Sequence, residues 1–215
     1  MQINVTRHPY SFLGDADTEK GDYTFLRPSG TWHTGLIDYA DGTEEGACRF
    51  ERQLQTLADK ADIKFDYHVK THWQPINSQR VLLWAGRFGK QEEFMSALNK
   101  RHFELRESAS DDSNILAAVQ EVGLDTKAAE DFLRTDELKD VVWRSYGTTP
   151  REKGIHAIPY MVFSVPELGI DGGPFRDDKG ARQPGVVAQG SHDPDFFLRI
   201  FEAFRERAAQ RARAE

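Results

Sequence analysis

Apolar residues recur at helical spacing through the middle of the chain. Ala47, Phe50, Leu54, Leu57 and Ala58 lie on one face of an amphipathic helix predicted over 45–60. Ser78 caps a second helix through Val81, Leu82, Ala85 and Phe88, which Gly89 breaks; Phe94, Met95, Leu98, His102 and Leu105 define a third. Asp111, Asp112 and Ser113 precede Ile115, Leu116, Val119 and Val122, with Gly123 placed as a stop, and Asp125 caps Ala128, Ala129, Phe132 and Leu133. Thr135 opens a further helix through Leu138, Val141, Val142 and Tyr146, ending at Gly147. Thr149-Pro150-Arg151-Glu152 then has an N-cap threonine, proline at the first helical position and glutamate at the third, the pattern of a new short helix.

The two ends carry a different texture. Ile3 and Val5 alternate with polar neighbours before Pro9, which predicts a strand over 2–7. From Gly14 to Gly46 the chain is rich in Gly, Asp and Thr without a sustained period, and reads as an irregular arm with one helical turn at most, its aromatics pinning it to a core. Ile155 to Val165 is β-rich, and Pro159 within it belongs at the strand's beginning or in a special turn. The Gly- and Pro-rich stretch 166–185 is an excursion, after which Gly185-Val186-Val187-Ala188 returns as a strand pairing with 160–165. Asp193 and Pro194 start a last helix through Phe196, Phe197, Ile200, Phe201 and Phe204, whose arginine-rich end suits the helix dipole. The order β, a helical block, β, β, α predicts an α/β fold: a sheet-bearing core of 1–44 and 150–215, with 45–149 as a helical insertion domain.

Charge and cysteine usage narrow the function classes. A net charge of -7 over 215 residues argues against a dedicated nucleic-acid binder or an anionic-membrane binder. Cys48, the single cysteine, excludes an intramolecular disulfide and a multi-cysteine zinc site. Neither a basic-apolar leader nor an apolar run of membrane-spanning length occurs, so a cytoplasmic protein with reduced Cys48 is expected. His68 and His72 have HxxxH spacing, but their surroundings read as strand or loop rather than the helix a metal motif uses, and no metal site is expected. Gly190-Ser191-His192-Asp193 holds triad residue types that adjacency keeps from triad geometry, and Gly172-Gly173-Pro174 lacks a phosphate-loop lysine.

Ile155-His156-Ala157-Ile158-Pro159-Tyr160-Met161-Val162-Phe163 resembles the cis-proline signature of DsbA-like thioredoxin-fold proteins. Val187-Ala188-Gln189-Gly190 and the helix after it look like that family's closing strand and helix, and Leu124 to Leu138 is similar to the helices before the cis-proline loop. Ser78-Gln79-Arg80-Val81 lies where one branch, that of FrnE-type oxidoreductases, hydroxychromene carboxylate isomerases and kappa-class glutathione transferases, has Ala/Ser-His-Arg-Leu. The resemblance implies a thioredoxin-like sheet with a helical insertion, a cis Ile158–Pro159 bond, and a groove there in which an extended substrate or glutathione adds to the sheet edge. The family's redox members carry Cys-Xaa-Xaa-Cys after the first strand, and this chain has no such pair.

The N-terminus admits two alignments to that family. Arg7-His8-Pro9-Tyr10 matches the family's second strand, which leaves the first strand and the cysteine helix absent from the chain. Alternatively, His8-Pro9-Tyr10-Ser11-Phe12-Leu13-Gly14 resembles the Ser-Pro-Tyr-Ser-Phe-Leu-Gly active-site turn of the isomerase and transferase branch, with His8 and Ser11 as catalytic candidates. Gln74 stands at that branch's asparagine position, and Ser78 and Arg80 either line the cleft or serve as helix cap and solvated cation. Three readings follow: a family member without redox cysteines that keeps a binding groove at Ile158 and Pro159; a glutathione-dependent isomerase or transferase; and a non-catalytic interaction module, as a homodimer through the sheet edge. No covalently bound cofactor is expected; the implied partners are glutathione, or a thiol- or glutathione-linked small molecule or peptide.

Overall fold

The computed structural model describes residues 2–11, 30–72, 74–170 and 186–214. In chain order these form β1 (Gly30–Thr31), α1 (Trp32–Ala40), α2 (Glu44–Ala58), β2 (Lys70–Thr71), α3 (Ile76–Gly86), α4 (Gln91–Glu104), α5 (Asp112–Glu121), α6 (Thr126–Leu133), α7 (Lys139–Arg151), β3 (Tyr160–Phe163), β4 (Val186–Gln189) and α8 (Pro194–Ala214). Short 3-10 turns follow α2 (Asp59–Ala61) and β3 (Pro166–Leu168). The fold is α/β with helices dominant. It divides into two compact units, Val5–Ser145 and Met1–Asn4 with Tyr146–Glu215.

The core of the Val5–Ser145 unit lies among α3, α4, α5 and α6. Val81, Trp84, Phe94, Leu98, Ile115, Val119 and Phe132 are buried there, on the faces the helical spacing selects. Gly89 leaves α3 at φ +67 and Gly123 leaves α5 at φ +75, left-handed positions that glycine adopts without strain. The Asp125 carboxylate accepts from Ala128 N at 3.0 Å, the expected cap of α6. Helix α1 packs along α2, and the pair is joined to the block by the two-residue ladder β1–β2 (Gly30 with Thr71, Thr31 with Lys70).

In the other unit, β3 and β4 pair antiparallel from Tyr160 with Gln189 to Phe163 with Val186, the hairpin anticipated from the sequence. Phe163 contacts Phe197, Phe201 and Phe204 of α8 at ring separations of 6.0–6.5 Å, so the apolar side of the last helix covers the end of β3. Asp193 caps α8 by accepting from Phe196 N at 2.8 Å. Among the described residues no helix is long and apolar enough to cross a membrane.

Four local expectations are corrected. Residues 2–7 form no strand: Ile3 and Val5 are 53% and 54% exposed, so their alternation marks no buried face. The arm contains a nine-residue helix, α1, whose start is fixed by a capping box between Thr31 and Thr34. Ser78 is not the cap of α3; it lies inside the helix, two residues after Ile76, with its hydroxyl donating to Pro75 O at 3.0 Å. Helix α7 neither begins at Thr135 nor ends at Gly147, and no new helix starts at Thr149. Its buried stripe continues through Val142, Tyr146 and Thr149, and Pro150 is accommodated in the last turn. Gly172-Gly173-Pro174 and most of the stretch 166–185 lie outside the described residues, as do Phe12, Leu13 and Gly14.

Candidate functional site

The backbone before and along β3 has a defined polarity. The Ile158–Pro159 peptide bond is cis, Ile158 is 46% exposed, and β3 begins one residue after the proline. Gly190 N donates to Pro159 O at 2.9 Å, which marks Pro159 and Gly190 as a hydrogen-bonded pair. Antiparallel ladders alternate. Met161 with Ala188 and Phe163 with Val186 are therefore the next bonded pairs, and the N–H and C=O groups of Tyr160 and Val162 point away from β4. Among the described residues β4 is the one strand beside β3. Among the described residues no strand pairs with the second edge of β3, along which the main-chain donors and acceptors of Tyr160 and Val162 point.

The remaining sequence candidates belong to the Val5–Ser145 unit. His8 is exposed, whereas Ser11 is 4% exposed. Gln74 and Ser78 are both buried around the first turn of α3, where Ile76 N donates to Gln74 O at 2.8 Å. Arg80, two residues on, is neither a solvated cation nor a cleft residue. It is 2% exposed, with its guanidinium on the carbonyls of Phe132, Thr135 and Glu137. Cys48 sits in the second turn of α2, half-buried.

Sequence reasoning missed a histidine cluster. His33, on α1, places Nδ1 2.6 Å from Glu51 Oε1 and Nε2 2.8 Å from Glu44 Oε1, both on α2. Its ring stacks on His68 at 5.3 Å, and His68 in turn lies 3.9 Å from Asp66. Two carboxylates on two ring nitrogens require the doubly protonated ring, and the Glu51 hydrogen bond is the leading cause that raises the His33 pKa. A raised basic pKa contributes stability in full below the unfolded value near 6.5 and loses it as pH rises through the folded value. An NMR titration should therefore place the His33 midpoint above 6.5, and Glu51→Gln should lower it. A midpoint unaffected by Glu51→Gln would refute the assignment. The HxxxH spacing drew attention to His68, but its actual neighbour is His33, far away in sequence, and among the described residues no group of three His, Cys, Asp or Glu side chains is arranged to hold a metal.

Comparison with curated proteins finds no match. The family model of the DSBA-like thioredoxin domain matches residues 35–200, more than three quarters of the chain and inclusive of the helical block, the Ile158–Pro159 turn, β3 and β4. On that match the chain belongs to the DSBA-like thioredoxin domain family.

Proposed function

We propose that the protein binds extended thiol-bearing chains, glutathione among them, along the second edge of β3, and that it carries out no dithiol–disulfide exchange with its own residues. The observation that carries the reading is the outward-facing backbone of Tyr160 and Val162, next to the exposed Ile158. Such an edge recruits an extended chain by main-chain hydrogen bonds, with side-chain pockets adding selectivity. Exchange within the chain requires a second thiol to resolve a mixed disulfide, and Cys48 has no second cysteine to work with. Ser78-Gln79-Arg80-Val81 supports a place in the branch of FrnE-type oxidoreductases, hydroxychromene carboxylate isomerases and kappa-class transferases.

Titration of the isotopically labelled chain with glutathione and with an extended cysteine-containing peptide tests the binding. Saturable shifts are expected at the amides of Tyr160 and Val162, and Val162→Pro should abolish them, because it removes an outward N–H and leaves the β4 ladder its donors. Absence of saturable shifts at millimolar ligand would overturn the binding reading. In an insulin-reduction assay the chain should not exceed the background of the reductant; reduction above it would overturn the redox reading.

A further inference from the structure

The helical unit holds residues 7–10 as a receptor holds a peptide. Arg7 N donates to Gln91 Oε1 at 2.7 Å while Gln91 Nε2 donates back to Arg7 O at 3.2 Å. Three residues on, Tyr10 N donates to Gln79 Oε1 at 3.1 Å and Gln79 Nε2 donates to Tyr10 O at 3.0 Å. Each glutamine amide thus closes a two-bond ring on one residue's main chain, as a neighbouring strand would, yet residues 7–10 belong to no ladder. The interval of three residues is one turn of polyproline II, the conformation in which a proline-containing chain is already ordered. Gln91 is held in place to make these bonds. It is 8% exposed, and its amide also donates to Leu82 O at 3.4 Å, which fixes its orientation.

Two further contacts add selectivity. The Arg7 guanidinium meets the Glu92 carboxylate through both oxygens, at 2.5 and 2.9 Å, a bidentate geometry that lysine does not reproduce. Pro9 is buried, and its carbonyl accepts from Ser145 Oγ at 2.8 Å. His8, between them, is exposed. The groove therefore contacts positions 7, 9 and 10 through the bonds described.

We propose that this groove, built from Gln79, Gln91, Glu92 and Ser145, is a peptide-recognition site filled in cis by the chain's own Arg7-His8-Pro9-Tyr10, and that its partner is an extended chain with arginine two residues before a proline. The hydrogen bonds described for the segment's main chain come from side chains, and the segment belongs to no described ladder. A cis occupant acts at an effective concentration in the millimolar range, and its removal raises the groove's apparent affinity for a free peptide by about a hundredfold.

The test uses the full chain and a labelled peptide of residues 2–11. Arg7→Glu sets like charges together at Glu92 and expels the cis segment; this variant should bind the peptide saturably and far more tightly than the wild-type chain. Adding Glu92→Arg restores the cis ion pair in reversed polarity, and peptide binding should disappear. A helical Arg7→Glu chain that fails to bind the peptide overturns the proposal. Native-state hydrogen exchange on the wild-type chain decides the question if that variant does not fold. The amides of Arg7 and Tyr10 should exchange through a local opening, faster than the core amides of α3 and α4. Exchange of all of them only with global unfolding overturns the proposal as well.

Discussion

Lowering the pH from 7 to 4 should cost the helical unit on the order of 3 kcal/mol through one side chain, His102. His102 lies on α4 and is 4% exposed. Burial alone, with no charged neighbour contributing, pulls its pKa down from 6.5 to about 4. Its surroundings explain why the charged form is excluded. Trp32 Nε1 lies 2.7 Å from His102 Nε2, Ala109 N lies 3.0 Å from Nδ1, and Phe103 contacts the ring edge-on at 4.6 Å. Both polar neighbours are N–H donors. A neutral imidazole has one nitrogen able to accept, and the imidazolium has none, so protonation ends whichever hydrogen bond the ring accepts. In the unfolded chain the ring protonates near 6.5, and in the folded chain only near 4. Stability is thus complete above about 6.5, falls through the interval, and flattens below about 4. Urea denaturation at a series of pH values measures this slope. His102→Asn keeps an acceptor near the Nδ1 position and titrates nowhere in the range. It should be less stable at neutral pH by about 1–2 kcal/mol but lose most of the acid slope. A slope unchanged in His102→Asn would remove His102 as its source. His33 works in the opposite direction, since its two carboxylate partners favour the charged ring. Its contribution fades as pH rises above 6.5, whereas that of His102 fades as pH falls below 6.5, so the two histidines gathered at the start of α1, His33 itself and the His102 that Trp32 contacts, act in opposite directions in adjoining windows.

The features legible in the sequence are those with local causes. The helix faces of α2 to α6, the Asp125 and Asp193 caps, the glycine stops and the β3–β4 hairpin each follow from a period or a turn residue within a short window. The cis-proline turn is legible only through resemblance, because the flanking residues of Pro159 carry no periodicity that separates it from a proline opening an edge strand. Where the reading fails, distant partners decide. Ile3 and Val5 alternate like a strand, but the main chain just beyond them is satisfied by glutamine side chains from α3 and α4, which no local pattern announces. Pro150 bears a helix-start signature, yet the buried stripe of α7 runs on through Thr149 and carries the helix past it. Gln79, Gln91, His33 and His102 are ordinary polar residues on helical faces. Their partners are far away in sequence or set by a neighbouring loop, and spacing does not reveal them.

Replacing Arg80 with methionine should destabilise the helical unit by on the order of 3–5 kcal/mol, although the side chain touches no carboxylate by hydrogen bond. Its Nε donates to Glu137 O at 2.7 Å, one terminal nitrogen to Thr135 O at 2.5 Å and Phe132 O at 3.2 Å, and the other to Asn77 Oδ1 at 3.0 Å. The guanidinium carbon stands 4.9 Å above the Phe132 ring. Burial lowers the Arg80 pKa, opposed by the nearby charges of Asp136, Asp112 and Glu137, and arginine still keeps its proton across the range of ordinary experiments. The three carbonyls belong to the end of α6 and the turn into α7; Phe132 O also accepts from Thr135 N at 3.0 Å, whereas Thr135 O and Glu137 O lie in the turn itself, where Leu138 has φ +64. Arg80 thus substitutes for the missing donors of a helix C-terminus and ties that turn to α3. Methionine fills similar volume but takes their guanidinium donor from the carbonyls of Thr135 and Glu137, while Phe132 O keeps its bond from Thr135 N. Arg80→Lys tests whether charge or shape matters: an ammonium group delivers its donors from one point and cannot span acceptors spread around a planar fork, so lysine should recover no more than about half of the loss. Chemical denaturation measures both variants, and hydrogen exchange over residues 132–138 should accelerate before that of the α4 and α5 core. Full stability in Arg80→Lys would show that the charge alone suffices, and full stability in Arg80→Met would show that the turn holds without its cation.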